Sequence, residues 1–331
     1  MVLYKAHLAL AQRNCYDAPM LKHRLIFGTA MILGLLALIY ADDRLGQLDV
    51  TGSPAQVLLM GQSYLPAGLL LFATFMLISL LAAREVAQMF ISKGVLCDPV
   101  VMMICAGLGM GVMYLSPRDA AGAVSLPWAM TGLIICFVLG MLRHAFRQQT
   151  AGALAAGGAA VFAAIYLGVL PGFFMLIRGG HSAWVLAAVI MLTKACDIGA
   201  YTAGRLFGKH KLIVWLSPGK TWEGLAGGVC FSVGAAMILA SLNNHYEWAG
   251  VWNSGTQQFT HHFYSLPFAA LMGLLLAVIG HGGDLLESLL KRDAGIKDSG
   301  HVIPGFGGVM DVIDSPILIA PVAYWLLYAA S

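Results

Sequence analysis

Runs of about 17 to 25 residues with almost no charge recur along this sequence, and they decide what it can fold into. Such a run crosses about 30 Å of hydrocarbon as a helix, and a helix satisfies its own backbone hydrogen bonds where no water is at hand. The composition fits a bilayer as solvent: 59% of the residues are hydrophobic and only 11% charged, too apolar for an ordinary soluble domain. Segments near residues 25–40, 65–82, 99–115, 126–142, 157–175, 182–204, 222–242, 266–290 and 315–330 qualify. The expected fold is therefore all-α, a polytopic integral membrane protein with about nine transmembrane helices. The stretch before residue 25 is polar and basic and does not read as a cleavable signal, so the first apolar run is expected to be a span.

Positive charge is retained on the cytosolic side, and short loops carry the bias. With a cytosolic N-terminus, that side holds Lys5, Arg13, Lys22, Arg24, Arg84, Lys93, Arg143, Arg147, Arg205, Lys209, Lys211, Lys220, Lys291, Arg292 and Lys297, and the far side only Arg44, Arg118 and Arg178. The expected placement is the cytoplasmic (inner) membrane with the loops carrying polar motifs in the cytosol. The net charge of +3 thus reports topology and gives no sign of nucleic-acid binding. Cys15, Cys97, Cys105, Cys136, Cys196 and Cys230 lack CxxC or Cys/His ligand spacing and read as packing residues.

The chain divides by chemistry. Residues 1–150 read as scaffold helices, with Gly107, Gly109, Gly111, Gly152, Gly157 and Gly158 allowing close helix approach. Residues 151–331 gather the polar residues, and they lie within or beside spans, where an ionisable group costs several kcal/mol and is a functional candidate. Lys194 and Asp197 share a helix face. The loop Gly204-Arg205-Leu206-Phe207-Gly208-Lys209-His210-Lys211, followed by Ser217-Pro218-Gly219-Lys220-Thr221-Trp222-Glu223-Gly224, clusters cations ahead of a helix starting near Thr221, an arrangement that attracts phosphate. It is not a P-loop. Gly224-x-x-x-Gly228 would serve packing within the chain or a homodimer.

At about 100° per residue, Asp284, Ser288 and Lys291 fall within about 60° of one another, with Glu287 about 60° from Asp284. Arg292 and Lys297-Asp298 follow, then the turn Pro304-Gly305-Phe306-Gly307-Gly308 and the pair Asp311 and Asp314. Carboxylates and a hydroxyl are hard oxygen ligands suited to Mg2+, and neighbouring cations suit phosphate.

Ser288-x-x-Lys291-Arg292, Lys297-Asp298, Pro304-Gly305-x-Gly307-Gly308 and Asp311 resemble the signature of the phosphatidate cytidylyltransferases, or CDP-diacylglycerol synthases. Asp197-x-Gly199-Ala200-Tyr201, Gly204-Arg205-x-Phe207-Gly208-Lys209-His210-Lys211 and Ser217-Pro218-x-Lys220-Thr221-Trp222-Glu223-Gly224 are similar to a second block of that family. The resemblance implies transfer of CMP from CTP to phosphatidate with Mg2+, within phospholipid biosynthesis. It also implies Asp284 and Asp311, with Asp197, as metal ligands, and Asp197, Asp284, Ser288, Lys291 and Asp311 as the catalytic set. Arg205, Lys209, Lys211, Lys220, Lys291, Arg292 and Lys297 would hold phosphate, with CTP, the lipid phosphate and the bilayer as partners. Phe306, Val312 and Gly219 stand where the family commonly has His, Arg and Lys, and His301 and Lys194 are available substitutes. Two other readings stay open: an enzyme acting on another lipid phosphate or a prenol, and an ion-coupled transporter with Asp197, Lys194 and Asp284 as its relay.

Overall fold

The computed structural model describes residues 27–48, 51, 64–116, 125–147, 150–248, 250–253, 258–300, 302–303 and 307–330. Nine helices among these residues each overlap one apolar segment read from the sequence: α1 (27–45), α2 (Leu69–Ser92), α3 (Pro99–Leu115), α4 (Leu126–Ala145), α5 (Ala153–Gly180), α6 (Ala183–Phe207), α7 (Trp222–Tyr246), α8 (Leu266–Asp293) and α9 (Met310–Ala330). Seven of them, α2 and α4 to α9, are long and apolar enough to cross a membrane, while α3 is a shorter apolar helix. The all-α polytopic architecture thus holds. Helix starts have local causes: Asp98 caps α3 through the Val100 N–H at 2.9 Å, Thr221 caps α7 through Gly224 at 3.1 Å, and Ser265 caps α8 through Phe268 at 3.4 Å. Prolines at the first turn of α3, α4 and α8 fit where no backbone donor is needed.

Consecutive helices run to and fro, so their ends form two faces. On one face lie the start of α1 and the segments joining α2 to α3, α4 to α5, α6 to α7 and α8 to α9. Lys93–Asp293, at 3.2 Å, ties two of these ends together. There the Asp98 carboxyl, although partly buried, is held below the usual carboxylate range by hydrogen bonds from Arg143 and the Val100 N–H. The opposite face carries a two-stranded hairpin, β3 (Gly250–Asn253) with β4 (Gln258–His261). Between α6 and α7 a second ribbon forms, β1 (Lys211–Ile213) against β2 (Ser217–Thr221), so the phosphate-type loop is a small platform.

Small residues bring helices to backbone contact. Gly224 and Gly228 face α6, where an added Cβ would meet the Ala200 and Cys196 carbonyl oxygens at 3.0 Å, so this GxxxG face is used within the chain. Gly109 of α3 packs on α5, where a Cβ would lie 3.1 Å from Gly168 Cα and against the Ala164 carbonyl. A Cβ at Gly111 or Gly158 would meet nothing within 4 Å among the described residues. Large apolar side chains such as Leu77, Ile104, Trp128, Ile134 and Leu242 point outward, as a lipid-facing surface requires.

The far face is fastened by one buried ion pair. Arg178 at the end of α5 and Asp42 at the end of α1 are each 1% exposed, with Nε donating to Oδ2 at 2.8 Å. The other Asp42 oxygen accepts the Leu70 and Leu71 N–H groups at the start of α2. Gly68 lies under the arginine with φ 83°, and a Cβ there would meet Arg178 Cγ at 2.9 Å. Replacing Arg178 with Met leaves Asp42 buried without its counterion, so unfolding in detergent is expected to show a loss of about 3–5 kcal/mol. Unchanged stability would mean that the pair contributes nothing net.

Candidate active site

The chemistry-bearing residues converge at the face that joins α6 to α7 and α8 to α9. Asp284 projects from α8, and Lys220 reaches it from β2 with Nζ at 2.8 Å from Oδ2. One turn along α8, Glu287 is 1% exposed and contacts Lys291, which also bonds Asp311 Oδ1 at 2.6 Å. Ligand oxygens of Asp284, Glu287 and Asp314 lie within 4.8 Å of one another, the only such group of three metal-ligand side chains among the described residues. The residues fit a hard divalent cation. Their donors are carboxylate oxygens, two of the three are buried, and Glu287 Oε1 is buried with no hydrogen-bond partner among the described residues.

Asp311 does different work. Its Oδ2 accepts the Gly308 N–H at 2.7 Å and the Ser299 N–H at 3.0 Å, with Ser299 Oγ at 2.9 Å, while Oδ1 receives Lys291. It therefore ties the turn before α9 to α8. Asp197 pairs with Lys194 at 3.1 Å on a half-exposed stretch of α6, near enough to act electrostatically on His281 and Asp314. The structure thus brings Asp284 together with Glu287 and Asp314, and sets Asp311 and Asp197 around that trio.

The predicted phosphate ligands separate into two tiers. Lys220 and Lys291 are largely buried and engaged with the carboxylates. Lys209, Lys211, Arg292 and Lys297 are exposed around them. Arg205 is tethered to the Tyr201 hydroxyl at 3.0 Å and Arg292 to the Ile296 carbonyl at 3.4 Å. Glu223, at the start of α7, receives the Lys209 and His210 N–H groups and the His210 ring, holding the ribbon against the helix. Ser288 is half-buried on α8. Gly219 is exposed in open space, and Val312 lies in the first turn of α9. Phe306 and His301 fall outside the described residues.

Glu85 on α2 is the site residue that sequence reasoning left in the scaffold. It is 6% exposed, and its two oxygens accept the Val309 and Met310 N–H groups, each at 2.9 Å, so it caps α9. Oε2 also lies 2.9 Å from Ser299 Oγ. A Cβ at Gly308 would come within 2.5 Å of that same oxygen, which fits glycine there. The N-terminal helices are thus bonded into the site, and no local pattern could show it, since Glu85 lies 214 to 225 positions from its partners.

Comparison with known proteins agrees in extent. The chain is similar to the phosphatidate cytidylyltransferase of Mycobacterium bovis, 33% identical over 258 residues that make up 75% of this chain and 77% of the relative. The Staphylococcus epidermidis enzyme of that name is 27% identical over 263 residues, covering 80% and 92%, and the Haemophilus influenzae enzyme 38% over 141 residues, covering 43% and 44%. A sequence model of the Cytidylyltransferase family matches residues 54–330, a span that takes in Glu85, the basic ribbon, the carboxylate trio and the turn before α9. With its helices, its motifs and most of its length accounted for together, the chain belongs to the cytidylyltransferase family.

Proposed function

We propose that this protein is a phosphatidate cytidylyltransferase, which transfers CMP from CTP to phosphatidate and gives CDP-diacylglycerol and pyrophosphate. The observation that carries the reading is the meeting of Asp284, Glu287 and Asp314 with Lys220 and Lys291 at one membrane face, beside an exposed basic ribbon. A phosphate monoester is already a nucleophile, so the reaction needs neither a covalent enzyme intermediate nor a strong base. A phosphatidate oxygen attacks the α-phosphorus of CTP while the bond to the bridging oxygen of the β-phosphate breaks, and that oxygen leaves with pyrophosphate. What the protein supplies is orientation and charge neutralisation.

Mg2+ is the cofactor in this reading, held by Asp284, Glu287 and Asp314, and when bound it would neutralise phosphate charge as a Lewis acid. Lys220 and Lys291 keep positive charge beside the reacting phosphates. Lys209, Lys211, Arg205, Arg292 and Lys297 draw the polyphosphate and the lipid phosphate to the surface. Asp311 fixes Lys291, and Asp197 restrains Lys194 at the rim. Of the two lysines the family carries in this loop, the chain keeps Lys220, which points to Asp284.

The nine apolar segments support nine spans, and the charge bias of the loops supports an N-terminus and active face in the cytosol and residence in the cytoplasmic membrane, where CTP meets the lipid surface. The test is acceptor choice: purified protein with α-labelled CTP and Mg2+, in micelles holding either phosphatidate or a polyprenol. Label is expected in the phosphatidate product alone. Label in the prenol product alone would overturn the choice of acceptor.

A further inference from the structure

The middle of α5 is not α-helical. Residues Ala164–Val169 form a π-helical stretch, which adds a residue to the turn and re-aims the side chains around it. The stretch is held from behind by α3 at the Gly109–Gly168 contact, so the irregularity is packed in place. It carries Tyr166, which is 4% exposed, with its ring stacked on Phe162 at 5.1 Å. The Tyr166 hydroxyl is buried and has no hydrogen-bond partner among the described residues. The acidic groups whose field reaches it are Asp314 and Glu287, two of the three carboxylates of the site. Glu287 Oε1 is likewise buried with no hydrogen-bond partner among the described residues.

Tyr166 packs in one apolar cluster with Leu290, Ile313 and Ile317, the neighbours of Glu287 on α8 and of Asp314 on α9. A buried polar group left without a partner there is costly, because buried donors and acceptors are nearly always paired with protein, water or an ion. Water from an ion's hydration shell would pair the Tyr166 hydroxyl, whereas a phenylalanine would fill the same volume without the orphan. We infer that Tyr166 is a positioning residue of the metal centre: its hydroxyl binds a water held by a divalent cation on Asp284, Glu287 and Asp314. The inference rests on the metal reading above and adds a residue from α5, outside every motif that marks the family in this sequence. The π-helical stretch is then the device that turns the hydroxyl toward the carboxylates.

The test is direct Mn2+ binding, followed by electron paramagnetic resonance on the full chain in nanodiscs without CTP or phosphatidate. Wild type is expected to show a site that Asp314→Asn removes. Tyr166→Phe is expected to weaken Mn2+ binding about tenfold, in line with the loss of groups that orient metal ligands, while the metal-free protein melts at an unchanged or higher temperature. Tyr166→Met, lacking both ring and hydroxyl, is expected to weaken it by a similar factor. Wild-type affinity in Tyr166→Phe, with the Asp314-dependent site present, overturns the role of the hydroxyl and leaves the metal reading standing. Weakening in Tyr166→Met alone assigns the effect to ring packing and overturns it too. Absence of any Asp314-dependent Mn2+ site removes the metal reading and the inference with it.

Discussion

Asp284→Asn and Asp314→Asn are each expected to lower Mg2+-dependent cytidylyl transfer by about a thousandfold or more, measured as initial rate at saturating CTP in phosphatidate micelles. Each change removes one negative charge and one hard ligand from a cluster whose oxygens lie within 4.8 Å. A cation at that position is worth several kcal/mol to the reacting phosphates, and each 1.36 kcal/mol is tenfold in rate. Asp197→Asn is expected to cost less than tenfold. Asp197 is 46% exposed and paired with the 42% exposed Lys194, and such pairs contribute about 0–1 kcal/mol. The reverse ranking, with Asp197 indispensable and Asp314 tolerant, would move the metal centre toward α6.

Glu85→Ala is expected to remove both stability and activity. The carboxylate is the acceptor for the Val309 and Met310 N–H groups and lies beside Ser299 Oγ. Alanine leaves these donors buried without an acceptor, at about 1–3 kcal/mol for each one left unsatisfied, so a combined loss of about 3–5 kcal/mol is expected. Ser299 has a single hydroxyl proton and retains Asp311 as acceptor, so the two backbone donors carry most of the cost. The same change frees the turn that presents Asp311 to Lys291, so the folded fraction should also transfer more slowly. Glu85→Gln keeps one carbonyl oxygen but sets an amide against backbone donors, and should fall between. Thermal unfolding in detergent, read beside the rate per folded molecule, checks both parts. Wild-type behaviour of Glu85→Ala would restrict the first helices to scaffold.

The helical architecture was legible because apolar runs of membrane length have few other fates. Every expected segment coincides with a helix among the described residues, although α5 runs longer than residues 157–175, its Ala- and Gly-rich start and its end at Arg178 having a weaker apolar signal. The cations and acids of the site were legible as types. Their partnerships were less so. Asp311 and Asp314 are three residues apart on α9, only about 60° around the helix, so spacing alone could not say which joins Asp284. The choice is made by contacts distant in sequence: Lys291 and the Gly308 and Ser299 donors occupy Asp311, leaving Asp314 to face Asp284 and Glu287. Glu287 was visible one turn from Asp284, but not its burial. Tyr166 lies where a π-helical stretch breaks the 3.6-residue period on which face assignments depend.

The most direct test of the central claim follows both products of one reaction. Purified protein, CTP, phosphatidate and Mg2+ are incubated together, lipid is analysed by mass spectrometry, and pyrophosphate is assayed in the aqueous phase. CDP-diacylglycerol and pyrophosphate in equal amounts, both lost on chelation of Mg2+ and both absent with Asp284→Asn, are the expected result. A folded, monodisperse sample that leaves phosphatidate and CTP unchanged would contradict the account.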